Sequence, residues 1–358
     1  MARILLEGLG HAYRPDPQTD DDWALKRLDL EWEDGGAYAL LGPSGCGKTT
    51  LLSIISGLLR PTAGRVLFDG EDVTALPPDR RHIAQVFQFP VVYDTMSVYD
   101  NLAFPLRNRG VAEREVDARV REIAGMIDLT HMLDRRASGL TADGKQKISL
   151  GRGLVRSDVN AIMFDEPLTV IDPHLKWQLR SKLKELHQRV RTTMIYVTHD
   201  QTEALTFADK VVVMNQGQVV QIGTPVDLFE RPNHTFVGHF IGSPGMNVLP
   251  CEVSSGRVHV AGRALDLGTS GAPEAGGRLE VGVRPEFVSL ADGEGEGRLP
   301  ARIVKVSDAG RYNVVEADVE GLGVKLLVAE GVEIPGEGAW LSFDPEHTAV
   351  YRDGWITG

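Results

Sequence analysis

The chain has 358 residues, with 50 acidic and 38 basic side chains and a formal net charge of -12. A general nucleic-acid binder needs a basic surface, so this charge balance excludes nucleic acid as an expected partner. Two cysteines, Cys46 and Cys251, are too few for a disulfide framework and favour a reducing compartment. No apolar run approaches the roughly 20 residues that span a bilayer, so we expect a cytoplasmic protein that reaches any membrane through a partner.

The N-terminal part of the chain alternates apolar runs with amphipathic stretches. The apolar runs are YALLG, IAQVFQ, NAIMFDE, TTMIYVTH and KVVVMNQG, and the helical stretches include residues 112–128 and 174–191. This alternation predicts an α/β domain with a largely parallel core sheet. The early acidic segment RPDPQTDDDW is expected to form an exposed loop.

The C-terminal part has a different pattern, with short alternating segments separated by glycine-rich turns. These segments are GRVHVAG, RLEVGVRP, ARIVKVSD and VKLLVAEG, and they predict an all-β barrel or sandwich of five or more strands. Gly242, Pro244 and Gly245 interrupt regular structure at the join. We therefore expect an α/β domain over 1–238, a linker over 239–247 and a β domain over 248–358.

The segment YALLGPSGCGKTTLL carries the strongest chemical signal. It matches the P-loop pattern, directly after an apolar strand and before a helical run, and this context argues against a chance glycine-rich turn. Glycines let the backbone curl so that its N–H groups face phosphate oxygens, while Lys48 reaches the β- and γ-phosphates and Thr49 binds Mg²⁺. We predict that ATP contacts Gly42, Pro43, Ser44, Gly45, Cys46, Gly47, Lys48, Thr49 and Thr50.

Two further strands end in residues suited to phosphate chemistry. The run NAIMFDEP ends in Asp165, placed to bind the metal, and Glu166, placed to polarise an attacking water as a general base. The run IYVTHDQTEAL places His199 at a strand end, where its imidazole could contact the γ-phosphate. A lone histidine is more often structural, but the order P-loop, acidic strand, histidine strand favours a role in hydrolysis.

Taken together, the motifs GPSGCGKTT, VFQ, GRGLV, MFDEPL, ID and VTHDQTEAL resemble those of the ATPase subunits of ABC transporters. The likeness is greatest to the carbohydrate importers of the maltose and glycerol-phosphate type. It continues through DLFERPNHTFVGHFIGSPGMNVL into VGVRPEFVSL, which is similar to the C-terminal TOBE domain of that branch. The resemblance implies an α/β P-loop NTPase (an ABC ATPase cassette) followed by an all-β OB-like domain.

The same resemblance implies roles for further residues. Tyr13 would stack on adenine, with Trp23 a weaker candidate for that contact. Gln88 would be the Q-loop glutamine that senses Mg²⁺ and the attacking water, and Asp172 would be the D-loop aspartate at a dimer interface. The segment VVYDTMSVYDNLAFPL would help to form a groove for a coupling helix of the permease. Lys48, Gln88, Glu166 and His199 would carry out hydrolysis.

The resemblance also implies where the protein works and with what. Its cofactors would be ATP and Mg²⁺. Its partners would be transmembrane permease subunits and, indirectly, a periplasmic or extracellular solute-binding protein. It would lie peripherally on the cytoplasmic face of the inner membrane, and its solute would be a sugar, a polyol, glycerol or glycerol-phosphate. The C-terminal domain would extend the dimer interface or bind a regulatory protein.

The signature motif, usually Leu-Ser-Gly-Gly-Gln, departs from the family pattern. The equivalent residues, 140–144, read Leu-Thr-Ala-Asp-Gly. Thr141 keeps a hydroxyl, but the Asp143 carboxylate repels a triphosphate unless it is protonated or screened. Because a signature faces the ATP of the partner subunit, we hypothesise a heterodimer with a second, related ATPase, in preference to a homodimer.

Three other classes of function compete with the importer motor. The altered signature would also suit a regulatory subunit that binds ATP with little turnover, although Glu166 and His199 argue against it. A non-transport ABC ATPase usually carries two cassettes or a long coiled coil, and the sequence shows neither. A P-loop kinase is disfavoured by the paired acidic and histidine strand ends and by the second domain.

Overall fold

The computed structural model describes residues 2–267, 276–336 and 338–357. It divides into two compact units, Met1–Pro225 and Val226–Gly358. The second unit thus begins earlier than the β domain predicted over 248–358, because it includes two short helices. The buried Arg284 side chain holds these helices by donating hydrogen bonds to backbone carbonyls of residues 228, 229, 238 and 241.

The first unit contains both strands and helices. Its strands are β1 (Ile4–His11), β2 (Leu25–Trp32), β3 (Ala37–Leu41), β4 (Ala63–Phe68), β5 (Glu71–Asp72), β6 (Ile83–Val86), β7 (Ala161–Asp165), β8 (Thr193–Thr198), β9 (Lys210–Asn215) and β10 (Gln218–Gly223). Its helices are α1 (Lys48–Ser56), α2 (Val98–Arg107), α3 (Glu113–Met126), α4 (Ala142–Leu154), α5 (Pro173–Val190) and α6 (Gln201–Phe207). The helices predicted over 112–128 and 174–191 correspond to α3 and α5.

These strands form an antiparallel sheet and a mainly parallel one. The antiparallel sheet has the order β2-β1-β4-β5. The second has the order β10-β9-β3-β8-β7-β6, in which β10 alone runs antiparallel to its neighbour. The prediction of an α/β fold with a parallel core sheet is confirmed. Strands β3, β8 and β7 are consecutive neighbours, so the segments that follow them emerge at one edge of the sheet.

Burial explains why the core strands are so uniformly apolar. Every residue of β3 and of β8 is buried, as expected for parallel strands that are covered on both faces. The core around them includes Leu40, Ile54, Met163 and Ile195, all without exposed surface. A rigid, two-sided core of this kind holds the strand ends in fixed positions.

Helix α7 (Pro225–Glu230) starts at the last residue of the first unit and continues into the second, where α8 (Thr235–Phe240) and then β structure follow. Its strands are β11 (Asn247–Pro250), β12 (Glu252–Ser254), β13 (Arg257–Val260), β14 (Arg263–Ala264), β15 (Leu279–Val283), β16 (Val288–Ala291), β17 (Arg298–Asp308), β18 (Tyr312–Val319), β19 (Leu322–Ala329), β20 (Gly338–Phe343), β21 (Thr348–Arg352) and β22 (Trp355–Ile356). They form sheets with the orders β11-β15-β21-β22, β12-β13-β14 and β16-β20-β17-β18-β19. The four segments predicted as strands overlap β13, β15, β17 and β19, and the prediction of an all-β C-terminal domain is confirmed.

Within the part of the chain that the structure describes, no helix combines the length and apolar character needed to cross a membrane.

Candidate nucleotide-binding site

The P-loop connects the end of β3 to the start of α1. Gly47 adopts a left-handed conformation with φ of 101° and caps α1, whose first residue is Lys48. A Cβ atom at Gly42 would collide with the carbonyl oxygen of Met214 in β9. The glycines therefore allow both a conformation and a close approach that other residues would not.

The Lys48 side chain is held over this loop. It is 5% exposed, and its Nζ donates to the carbonyl oxygens of Gly42 at 2.8 Å and Pro43 at 2.9 Å. The predicted phosphate ligands Ser44 and Thr49 lie on the exposed side of the same segment. The loop thus places a fixed ammonium group and the N-terminus of α1 at one position, which suits an anion.

Glu166 lies at the centre of the residues predicted to hydrolyse ATP. Its Oε1 is 3.1 Å from His199 Nδ1, and its Oε2 accepts a hydrogen bond from Gln88 Nε2 at 3.4 Å. The Thr169 hydroxyl donates to the same Oε2 at 3.3 Å. Glu166 has a φ of 46°, an uncommon conformation for this residue type that surrounding contacts must hold. Residues from three separate loops therefore converge on one carboxylate.

Asp165 is the other carboxylate at the end of β7. Burial raises the pKa of Asp165, the neighbouring Glu166 charge raises it further, and the Lys48 ammonium opposes both effects. A cation bound beside Asp165 would stabilise the ionised form of this carboxylate. With the Thr49 hydroxyl and the Gln88 amide oxygen, it would form the oxygen-rich donor set that Mg²⁺ prefers.

The raised pKa of Asp165 leads to a stability prediction. The folded-state pKa of Asp165 lies above the unfolded value. Its stabilising contribution to the free energy of unfolding is therefore fully present below about pH 4 and is lost as the pH rises through the folded pKa. We expect Asp165→Asn to raise the thermal unfolding midpoint of the nucleotide-free, Mg²⁺-free chain at pH 7.5, by a margin that disappears below about pH 4. Calorimetry over this pH range measures the difference in unfolding midpoint between the variant and the parent. A variant that is less stable than the parent at pH 7.5 would contradict the raised pKa of Asp165.

Tyr13 lies next to the P-loop helix. Its ring is 68% exposed, its hydroxyl is 3.0 Å from the Thr50 hydroxyl, and it makes an edge contact with His11 at 4.7 Å between ring centroids. Trp23 instead packs over Gly10, where a Cβ atom would lie 3.1 Å from the indole ring. The exposed face of Tyr13 is thus open to a planar ligand, as an adenine contact requires.

The altered signature forms the start of α4. Thr141 is the N-cap, and its hydroxyl accepts a hydrogen bond from the Gly144 N–H at 3.3 Å. An ion pair joins Asp143 Oδ2 to Lys147 Nζ at 3.6 Å, and Lys147 is 8% exposed. The structure thus supplies a screening charge for Asp143 that sequence reasoning did not identify, although the acidic-to-basic i,i+4 spacing was a readable signal. The other predicted contact residue, Asp172, is the N-cap of α5 and accepts from the His174 N–H at 2.9 Å.

The segment after Gln88 presents apolar side chains to solvent beside a cleft of about 300 Å³. Phe89 is 72% exposed and Val91 is 51% exposed. The Arg152 guanidinium lies 4.6 Å from the centroid of the Tyr93 ring and 5.8 Å from that of Phe104, and it donates to the Val91 carbonyl at 2.7 Å. A cleft beside exposed apolar side chains is typical of a protein-binding surface.

Fold and site together define a P-loop ATPase of the ATP-binding-cassette class. Residues 25–169 match the ABC transporter family, residues 242–288 the MalK OB fold domain and residues 281–350 the TOBE domain. The chain belongs to the ATP-binding subunits of ABC transporters, with the domain composition of a sugar-type importer ATPase.

Relatives align over nearly the whole chain. The sn-glycerol-3-phosphate import ATP-binding protein UgpC of Salmonella typhi is 39% identical over 335 residues, which cover 92% of this chain and 93% of that protein. An uncharacterised ABC transporter ATP-binding protein of Sinorhizobium fredii is 40% identical over 323 residues, covering 89% of this chain and 86% of the relative.

Solved structures match the cassette. The subunit cbiO1 from Clostridium perfringens, part of the ABC transporter complex cbiONQ, has a TM-score of 0.57 and 28% identity, covering 64% of this chain and 90% of its own. A dimeric ATP-binding cassette in a post-hydrolysis state bound to ADP and Pi has a TM-score of 0.55 and 25% identity, covering 62% of this chain and 98% of its own.

Proposed function

We propose that this ATPase energises the import of a small polar solute, a sugar, polyol, glycerol or glycerol-phosphate. The observation that supports hydrolysis by this subunit is the convergence of Gln88, Thr169 and His199 on the Glu166 carboxylate, beside an intact P-loop. A subunit that only binds ATP has no need of such an arrangement. The name of the UgpC relative supports glycerol-phosphate within this solute class.

In this mechanism each residue has a distinct task. Lys48 and the P-loop N–H groups hold the β- and γ-phosphates, and the exposed Tyr13 ring stacks on the base. Thr49, Gln88 and Asp165 would hold Mg²⁺, which supplies charge neutralisation on the phosphates when bound. Glu166 accepts a proton from the attacking water, and His199, placed by Glu166, faces the γ-phosphate.

The cleft beside the Q-loop supports the proposed partner. Gln88 opens the exposed segment that contains Phe89 and Val91, so contact with a permease helix there would bear directly on the Glu166 site. We place the chain on the cytoplasmic face of the membrane, bound to transmembrane permease subunits, with a solute-binding protein acting from the opposite side. Hydrolysis in two such ATPases would reopen a nucleotide-closed dimer and move the permease between its two states.

The proposal is tested by reconstitution. The chain would be purified with the permease subunits and binding protein encoded beside its gene and placed in proteoliposomes that enclose ATP and Mg²⁺. We expect uptake of one solute of this class, together with solute-stimulated ATP hydrolysis. Hydrolysis without uptake of any tested sugar, polyol or glycerol-phosphate would overturn the importer proposal.

For the subunit arrangement we propose a heterodimer with a second ATPase that supplies an intact signature. The Asp143 carboxylate in the first turn of α4 supports it, because that turn would face the partner's triphosphate. The ion pair of Asp143 with Lys147 is the observation that favours a homodimer instead, since it offsets the carboxylate charge.

Asp143→Gly separates these arrangements. In a heterodimer, we expect the chain purified alone to turn over slowly, and the variant to raise its turnover by about tenfold, or about 1.4 kcal/mol, because a repulsive charge is removed. Steady-state ATPase measurements on the chain alone, and on the chain with the neighbouring ATPase, provide the comparison. Full, cooperative hydrolysis by the unmodified chain alone, unchanged in the variant, would establish the homodimer.

A further inference from the structure

Gln146 is a buried polar residue of α4 that the proposed mechanism does not use. It has no exposed surface. Its Nε2 donates to the carbonyl oxygen of Pro167 at 2.7 Å and to that of Phe87 at 3.3 Å. One amide group therefore joins three segments that are far apart in the sequence.

The two carbonyls that Gln146 binds flank the hydrolytic residues. The Phe87 carbonyl belongs to the peptide group that leads into Gln88, and Pro167 directly follows Glu166. The side chains of Gln88 and Glu166 in turn contact each other at 3.4 Å. The two segments are thus connected twice: Gln146 binds a backbone carbonyl of each, and the side chains of Gln88 and Glu166 contact each other.

We propose that Gln146 is a positioning residue for ATP hydrolysis, which sets the distance and orientation of Gln88 relative to Glu166. The inference rests on the proposed function of these two residues in hydrolysis. Glu166 has a left-handed φ of 46°, and such a conformation persists only where neighbouring contacts hold it. The hydrogen bond to Pro167 acts one residue away from this position.

The position of Gln146 also connects the site to the signature. Gln146 lies in the second turn of α4, whose N-cap is Thr141. Any shift of the signature turn on contact with a partner's nucleotide would pass along the helix to the amide and on to Gln88 and Glu166. Gln146 therefore lies on the same helix as the signature and contacts the backbone beside Gln88 and Glu166.

The chemistry of the amide makes the proposal specific. Its Nε2 makes both hydrogen bonds, whereas its Oε1 is buried without a hydrogen-bond partner among the described residues. Gln146→Met keeps the buried volume but removes both donors. Gln146→Glu keeps the shape but turns a carboxylate oxygen towards two carbonyl oxygens, which is repulsive. Both variants remove the N–H donors of the amide. Because Gln146→Met keeps the buried volume, a loss of activity in this variant would come from the missing hydrogen bonds and not from altered packing.

The test uses the full chain assembled with its partner subunits. We expect Gln146→Met to lower kcat for ATP by about tenfold to a hundredfold, as for a small displacement of reacting groups, with KM and ATP affinity within about twofold of the parent. Gln146→Glu should lose at least as much. Gln188→Glu, the same exchange at an exposed position near the end of α5, is the control and should leave kcat unchanged.

A double-mutant cycle with Glu166→Gln tests whether Gln146 acts through Glu166. If it does, Gln146→Met lowers the residual rate of the Glu166→Gln background by less than about twofold, because the group that it positions is already gone. A full kcat for Gln146→Met, or losses that multiply in the double variant, would overturn the inference. An unmodified complex that hydrolyses no ATP would instead contradict the proposed function itself.

Discussion

Glu166→Gln in the assembled transporter is expected to lower ATP turnover by about 10²- to 10⁴-fold, the range typical of losing a general base. ATP affinity should be kept or modestly raised, because the amide keeps the size of the side chain and removes a negative charge near the phosphates. Single-turnover hydrolysis and equilibrium binding of ATP with Mg²⁺ measure the two quantities separately. The variant retains a hydrogen-bonding group for Gln88 and His199, so the site geometry should persist.

The control for this prediction is Glu115→Gln, the same exchange at an exposed position in α3. It should leave both turnover and affinity unchanged. If Glu166→Gln also hydrolysed ATP at the rate of the parent, this chain would not use its own site. The regulatory subunit with little turnover would then replace the motor as the best description.

Lys48→Ala is expected to weaken ATP binding by about 10²-fold or more. Hydrogen bonds from a charged group contribute about 1.5–3 kcal/mol each, and this ammonium is positioned to make more than one with the phosphates. Because Lys48 is 5% exposed and bonded to the loop carbonyls of Gly42 and Pro43, no other lysine can take its place without rebuilding the loop. Titration calorimetry with ATP and Mg²⁺ gives the affinity directly.

Lys210→Ala provides the matched control, since Lys210 is an exposed lysine paired only weakly with Glu33 at 3.6 Å. It should bind ATP like the parent chain. Unchanged affinity in Lys48→Ala would show that the Lys48 ammonium does not contribute to binding the phosphates. Loss of affinity in both variants would point to a general effect of charge.

Much of the fold and of the site could be predicted from contiguous stretches of sequence. The P-loop lies within eight consecutive residues, Gly42–Thr49, and its glycine spacing encodes a backbone conformation rather than a distant contact. Asp165 and His199 each end an apolar run, so their place at a strand end follows from pattern alone. The alternation of strands and helices likewise indicated the parallel sheet.

Residues whose role depends on contacts with distant parts of the sequence were harder to predict. The sequence identified Asp143 as a repulsive charge, whereas the structure pairs it with Lys147. No role was predicted for Thr169 from the sequence, yet its hydroxyl donates to Glu166. No role was predicted for Gln146 from the sequence, and only the structure shows that this polar side chain is buried.

The sequence by itself determined the class of chemistry, because glycine spacing, strand-end carboxylates and the motif set are local features. Only the tertiary structure determined how the P-loop, Glu166 and His199 are placed relative to one another. Strand β3 pairs with β8 and β8 with β7, an order that differs from their order along the chain, and this order brings the P-loop, His199 and Glu166 to one edge. The same packing lets Gln146 reach carbonyls beside Gln88 and Glu166, since a side chain's partners depend on which segments lie within hydrogen-bond distance.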